Sequence, residues 1–447
     1  MIRLVFADLL ANARVWIGVF AVVVAAGFVV AFPASMIETG ARYGGQTSED
    51  LNSTSSIVIV FTSITILIVL SGSTNLAVTL QQRGYALWQL LGVRPIAIAL
   101  IVLTQLAILA ATGALLGAML ARPALQPLLS FVFADWDSLR QVTFSLGGLS
   151  ILMAVLGIIA VILLGGLRGA RRASRTAPVE ALREAEPARG KIRWFRMLLF
   201  IGVLTGTMIF TLGLSGATFS SIAKRAVFIT PFMLASITAA GPLLLPLVLR
   251  AWTALVPKRT SATWFLARNS ARHRLSLSTA AISPLMVAIA LTSGLYSTAM
   301  ALTTAQAQQT GTESSGFALP IELVIILLGG PLLMSTVGAA ATVFMSGQAR
   351  EREFALLQAA GSTRGAVLLA ALWEAVIYAV TAILLGALVT FISAVILANA
   401  LTLPTTVVNL TSIGIIGGAG FVLMLVATIA PTATALRAEI PRTLAVQ

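Results

Sequence analysis

The side chains that most often carry chemistry are scarce in this chain of 447 residues. It has no cysteine and a single histidine, His273, so thiol chemistry and a histidine cluster for zinc are excluded. None of the three lysines, at 191, 224 and 258, lies in the Gly-x-x-x-x-Gly-Lys-[Ser/Thr] loop that cradles nucleotide phosphates. The sequence therefore predicts no catalytic residue, no metal site and no bound cofactor in this chain.

Three polar residues lie within apolar stretches, at Asn75, Gln105 and Glu374. A polar group at membrane depth is costly unless it is paired or close to water. Two roles stay open for Glu374: bonding to a neighbouring helix, or a part in transport. Asn75 ends a run of small polar residues, which permit close helix packing more often than they bind a substrate.

Two short charged segments have nearly the same sequence, at 81–97 (QQRGYALWQLLGVRPIA) and 350–365 (REREFALLQAAGSTRG). The aligned identities pair Arg83, Ala86, Leu87, Gln89 and Gly92 with Arg352, Ala355, Leu356, Gln358 and Gly361. The spacing predicts a helix of about three turns in each, ended by its glycine in a left-handed conformation.

Each predicted helix has an apolar side, formed by Tyr85, Trp88 and Leu91 in the first copy and by Phe354 and Leu357 in the second. Such a helix either rests on lipid headgroups or inserts into a cytoplasmic partner. Periodicity alone favours the lipid interpretation, but the same pattern occurring twice in one chain favours a partner.

The composition is that of an integral membrane protein. Hydrophobic residues make up 58% of the chain and charged residues only 10%, where soluble domains carry roughly a quarter. The 29 basic residues outnumber the 15 acidic ones, but they cluster between apolar spans, which is the pattern of cytoplasmic loops and not of nucleic-acid binding. Both termini and both charged segments are predicted to be cytoplasmic.

We predict an all-α membrane protein with about ten spans. The candidates are 15–33, 56–80, 96–121, 142–167, 195–215, 226–250, 278–302, 319–345, 365–395 and 410–430. The first span follows Arg3 and Arg14 and is interpreted as a retained helix, since no signal-peptide cleavage pattern follows it.

The repeat extends beyond the charged segments. Ala7, Ala11 and Arg14 align with Ala267, Ala271 and Arg274, which lie 260 positions later. The chain is therefore predicted to hold two parallel four-span units, 1–194 and 251–447, joined by two spans in 195–250, with a pseudo-twofold axis along the membrane normal. No segment between spans is long enough for a folded extracellular domain.

The second charged segment resembles the cytoplasmic signature of the FtsX-like permease family, which groups macrolide exporters, lipoprotein-releasing permeases and bacitracin-exporter-type permeases. The matching residues are Arg350, Glu353, Phe354, Ala355, Leu356, Gln358, Ala359, Gly361, Ser362 and Thr363. Glu374 corresponds to the glutamate early in the family's next span. The first copy departs from the pattern, because Gly84 replaces the glutamate and Gln105 stands where Glu374 does.

The resemblance implies the permease subunit of an ABC exporter, driven by ATP and magnesium in a separate ATPase. Its coupling helices would use Arg83, Tyr85, Leu87, Trp88 and Gly92 in one unit. In the other they would use Arg350, Glu353, Phe354, Leu356, Leu357 and Gly361.

The chain would lie in the cell membrane, contact its lipids and bind two copies of the cytoplasmic ATPase. It would move a hydrophobic or amphipathic substrate such as a lipid, lipopeptide, peptide antibiotic or drug. Two alternatives stay open, a non-transporting signalling or division-regulating scaffold and an ion-driven secondary transporter. The near-isolation of Glu374 argues against the secondary transporter.

Overall fold

The structure is a computed structural model that describes residues 2–136, 139, 142–175, 194–213, 219–257, 261–310, 320–403 and 406–435. All regular secondary structure within these ranges is α-helical, so the predicted all-α class is confirmed. Residues 176–193 and 436–447, at the ends of the two predicted units, lie outside the described residues.

Fifteen helices form the described part of the chain. The first six are α1 Ile2–Ala11, α2 Ala13–Tyr43, α3 Gly45–Leu80, α4 Gln82–Leu90, α5 Pro95–Val132 and α6 Gly148–Arg175. Four connecting helices follow, α7 Trp194–Leu212, α8 Phe219–Ala226, α9 Ile229–Ala239 and α10 Gly241–Leu255. The last five are α11 Ala262–His273, α12 Leu275–Thr310, α13 Ile321–Ala359, α14 Arg364–Ala400 and α15 Leu410–Ala435.

Seven of these helices are long and apolar enough to cross a membrane, and an eighth is possible if α8 and α9, which bend by 43° at their junction, form one span. The seven are α2, α3, α5, α6, α12, α13 and α14. The other three predicted spans, at 195–215, 226–250 and 410–430, fall on α7, on α9 with α10, and on α15, whose apolar stretches among the described residues are shorter, at Phe200–Leu212, Gly241–Leu255 and Leu410–Val426. The sixth is divided where α10 begins at Gly241, and Pro242 lies in the first turn of α10, where the missing amide is not needed.

The two charged segments differ in how they join the preceding span. In the first, Gln81 separates α3 from α4. In the second, the short helix predicted from the sequence is not separate from the span, and α13 runs through 321–359 as one helix. The residues from Gly347 to Arg352 include strong helix formers and no proline, so nothing interrupts the helix there.

The helices of the two predicted units have matching neighbours. In the first, α2 packs against α3, α5 and α6, and α5 packs against α6. In the second, α12 packs against α13, α14 and α15, and α14 packs against α15. The first two spans of each group meet at the centre, where α3 packs against α13, α2 against α13, and α3 against α12.

Small residues permit this central contact. A methyl group added at Gly18 of α2 would meet the Met345 side chain of α13, and one added at Gly338 of α13 would meet Val69 of α3. In membranes, where lipid is as apolar as the helix surface, such close approach is a main source of helix association.

Candidate functional site

Both charged segments end in the same hydrogen-bonded cap. Gly92 has φ of 87° and Gly361 has φ of 91°. In the first copy, the Val93 amide donates to the Trp88 carbonyl at 3.0 Å and Gly92 to Gln89 at 3.0 Å. In the second, Ser362 donates to Leu357 at 3.0 Å and Gly361 to Gln358 at 2.9 Å. This pair of bonds is the Schellman motif, so the predicted glycine caps are confirmed.

The orientation of α4 differs from the predicted one. Tyr85 is 1% exposed and Trp88 is partly buried, and their rings pack edge to face at 5.7 Å. The exposed apolar side chains are instead Leu87, Leu90 and Leu91. The periodicity correctly predicted that Tyr85 and Trp88 share an apolar side of α4. That side packs against the chain's own spans and does not face outward.

The second segment has the same orientation where its side chains are described. Leu356, which aligns with Leu87, is exposed, whereas Leu357, which aligns with Trp88, packs against Val367 and Ala371 of α14. At residues 348–355 the structure describes the backbone alone, so the side chains of Arg350, Glu353 and Phe354 lie outside the described part. Arg83 is exposed on α4.

A buried polar cluster lies beneath α4. The Asp8 carboxylate of α1 accepts from Asn12 Nδ2 at 2.9 Å and from Gln105 Nε2 of α5 at 2.8 Å. Tyr85 donates its hydroxyl to Gln81 Oε1. Burial, with the Asp8 charge nearby, raises the pKa of the Tyr85 phenol, so this hydroxyl keeps its proton. The Asp8–Gln105 bond joins α1 to α5, and the Tyr85–Gln81 bond holds the first turn of α4 to the residue that precedes it.

Glu374 belongs to a second buried cluster, in the other half of the protein. It is 8% exposed and accepts a hydrogen bond from the Tyr378 hydroxyl, one turn later on α14. The Tyr378 oxygen lies 3.4 Å from Ser278 Oγ of α12, which donates to the Ala271 carbonyl of α11 at 2.8 Å. This chain of contacts connects α11, α12 and α14.

The three polar residues predicted at membrane depth therefore do not share one site. Gln105 and Glu374 occupy aligned positions but support separate clusters, and Asn75 is partly buried near the end of α3. Asp8 and Tyr378 were not predicted from the sequence. Their signal is spacing: Asp8 lies four residues before Asn12, and Tyr378 lies four residues after Glu374, so each pair shares a helix face.

The fold defines the class of the protein as an all-α integral membrane protein with at least seven candidate spans. Comparison with protein families gives a match to the FtsX-like permease C-terminal family over residues 325–440, which includes the second charged segment and Glu374. This match supports the FtsX-like permease family, whose members are generally the non-catalytic membrane components of ABC-type transporters. No curated protein matches the chain.

Proposed function

We propose that this chain is the permease subunit of an ABC exporter, and that a separate cytoplasmic ATPase drives it through α4 and the end of α13. The observation that carries the proposal is the recurrence of one arrangement at two places. Each place has a helix ended by a Schellman cap, an exposed leucine at the aligned position, Leu87 or Leu356, and an inward-facing neighbour.

The continuity of α13 suggests how a movement of the ATPase would reach the far side of the membrane. This helix has 39 residues, so it is about 58 Å long, well beyond the ~30 Å hydrocarbon core of a bilayer. The helix continues through Pro331, and we propose that it transmits a displacement at Leu356 to its other end. The first half would act through α3 and α4, where the Tyr85–Gln81 bond holds the junction.

The central packing supports the finer proposal that one chain supplies both halves of the transmembrane pathway and binds two ATPase copies. Exchanging the two units turns the contact of α2 with α13 into that of α3 with α12, and both contacts occur. A second permease chain around the same pathway is then unnecessary. Mass measurement of the intact complex tests this: two permease chains for each pair of ATPase chains would contradict it.

For the substrate, we propose a hydrophobic or amphipathic molecule taken from the bilayer of the cell membrane. The described loops are short, and long apolar helices present exposed leucine and isoleucine side chains to the lipid. Both termini would be cytoplasmic, as the arginine distribution predicts.

The coupling proposal is tested with a tagged chain purified from its native membranes together with any ATPase that it retains. Leu87→Asp and Leu356→Asp each place a charge in the proposed contact, where burial of a leucine contributes roughly 1.5–3 kcal/mol. We expect at least about tenfold less retained ATPase for either variant, with unchanged expression and membrane insertion.

Leu255→Asp is the matched control, because Leu255 is 84% exposed at the end of a connecting helix. It should retain the partner at the normal level. Retention of the ATPase at wild-type stoichiometry and wild-type ATPase rate by both Leu87→Asp and Leu356→Asp would refute the proposed coupling.

A further inference from the structure

Three arginines come together where α10 meets α11. Arg250 lies near the end of α10, and Arg268 and Arg272 lie one turn apart on α11. Arg272 Nη2 donates to the Arg250 carbonyl oxygen at 3.1 Å and to Thr253 Oγ1 at 2.6 Å. Arg268 is only 5% exposed. Three positive charges therefore share one small and partly enclosed region.

This cluster lacks a counter-charge from the described part of the chain, where no carboxylate forms an ion pair with any of the three arginines. The Nε atoms of Arg268 and Arg272 are buried and have no hydrogen-bond partner among the described residues. Burial and the nearby Arg268 and Arg250 charges lower the pKa of the Arg272 guanidinium. Arg268 is buried with its Nε unpaired among the described residues, and two further positive charges lie nearby, so this arrangement favours a bound anion.

The corresponding place in the first half of the chain needs no anion. Under the 260-residue alignment, Asp8 occupies the position of Arg268 and Asn12 that of Arg272. Asp8 carries a carboxylate there in place of a guanidinium, and Asn12 and Gln105 both donate hydrogen bonds to it. The requirement for an external anion is thus specific to the second half.

The surroundings indicate a source for that anion. Trp252 and Trp264 pack edge to face at 6.2 Å, and Trp264 and Trp373 at 5.3 Å, beside the arginines and against the span α14. Tryptophans are enriched where a membrane protein meets the headgroup region. Guanidinium groups bind phosphate with two parallel hydrogen bonds. We propose that Arg250, Arg268 and Arg272 form a binding site for the phosphate of an anionic phospholipid headgroup.

The proposal does not depend on coupling to an ATPase, and it is tested on the full-length purified chain. Native mass spectrometry counts the lipids that the chain retains in mixed micelles containing phosphatidylglycerol or phosphatidylcholine. The wild-type chain should bind phosphatidylglycerol preferentially and unfold at a higher temperature in its presence. Arg268→Gln and Arg250→Gln should each weaken this binding about tenfold or more.

Arg250→Gln is included because Arg250 is exposed, so this variant should fold normally even if Arg268→Gln does not. The control is Arg94→Gln, which removes one exposed arginine before α5 and should leave the lipid preference unchanged.

Equal loss of lipid in Arg94→Gln would overturn the site, since overall surface charge would then explain the binding. Wild-type lipid retention by Arg250→Gln would also overturn it. A third arm replaces the lipid with inorganic phosphate at the same concentration. If phosphate alone raised the unfolding temperature equally and displaced phosphatidylglycerol, a soluble ligand would be the source and the lipid assignment would be wrong.

Discussion

Glu374 shows how a carboxyl group is accommodated within a span of this protein. Its side chain is buried, and it accepts the Tyr378 hydroxyl within a cluster that reaches α11 and α12. The sequence left both a structural and a transport role open for this residue. The contacts favour the structural role, because they connect three helices at the end of the span nearest the second charged segment.

We predict that Glu374→Ala destabilises the chain and that Glu374→Gln does not. Alanine leaves the buried Tyr378 hydroxyl without its acceptor, which costs roughly 1–3 kcal/mol. Glutamine keeps an acceptor oxygen in the same place. Thermal unfolding of the purified variants in detergent distinguishes the two. A similar loss of stability in both variants would show that the negative charge itself is required.

At the scale of elements, α4 is an amphipathic helix with two different apolar surfaces. Tyr85 and Trp88 face its own spans, and Leu87, Leu90 and Leu91 face outward. The inward surface contributes to folding, and the outward one is available to a partner. Neighbouring positions of the same helix therefore have opposite consequences when a charge is introduced.

Trp88→Asp should lower the stability of the isolated chain by about 2 kcal/mol or more, because it buries a carboxylate next to Tyr85. Leu87→Asp should change it by no more than about 0.5 kcal/mol, as expected of an exposed position. The denaturation midpoints of the two purified variants, measured without any partner, provide the comparison. Equal midpoints would contradict the observed orientation of α4.

The contact between α2 and α5 depends on glycines. Gly113 and Gly117 are one turn apart on α5, and a methyl group at Gly117 would meet backbone atoms of Val24 and Phe28. Gly27 of α2 approaches the backbone of Ala114 in the same way. Because the obstructing atoms are backbone, the two helices must separate to admit a side chain.

Gly117→Ala should therefore destabilise the chain, by about 1–3 kcal/mol for an overpacked interface. Gly157→Ala on α6 is the control, since no atom lies within 4 Å of the added methyl group there. Alanine is the better helix former by about 1 kcal/mol, so the control should be neutral or stabilising. Thermal unfolding of both variants checks the difference, and a Gly117→Ala chain as stable as Gly157→Ala would contradict the close contact.

At the scale of the whole molecule, the arginine distribution predicts the orientation in the membrane. The chain has no cysteine, so single cysteines can be introduced at exposed positions without background. Ser130, near the end of α5, is predicted to face outward, and Ala360, after α13, to face the cytoplasm.

In intact cells, Ser130→Cys should react with a membrane-impermeant thiol reagent, and Ala360→Cys should react only after permeabilisation. Both positions are exposed, so burial would not explain a difference. Labelling of Ala360→Cys in intact cells, with Ser130→Cys protected, would mean that the orientation is inverted.

Much of the architecture follows from sequence alone, because a bilayer leaves few solutions for an apolar chain. Long apolar stretches must form helices to satisfy their backbone groups, and seven of the ten predicted spans coincide with long helices. The glycine caps at Gly92 and Gly361 were also predictable, since only glycine adopts a left-handed conformation there without strain.

The tertiary structure alone decided which side of each charged helix faces inward. Periodicity detects that apolar residues share a side, but it does not tell whether that side meets the chain's own spans or a partner. Tyr85 and Trp88 pack against the chain's own spans, and Tyr85 donates to Gln81 with the Asp8 charge nearby. The gathering of Arg250, Arg268 and Arg272 likewise depends on how α10 and α11 meet, since proximity between separate helices is set by packing and not by spacing along the chain.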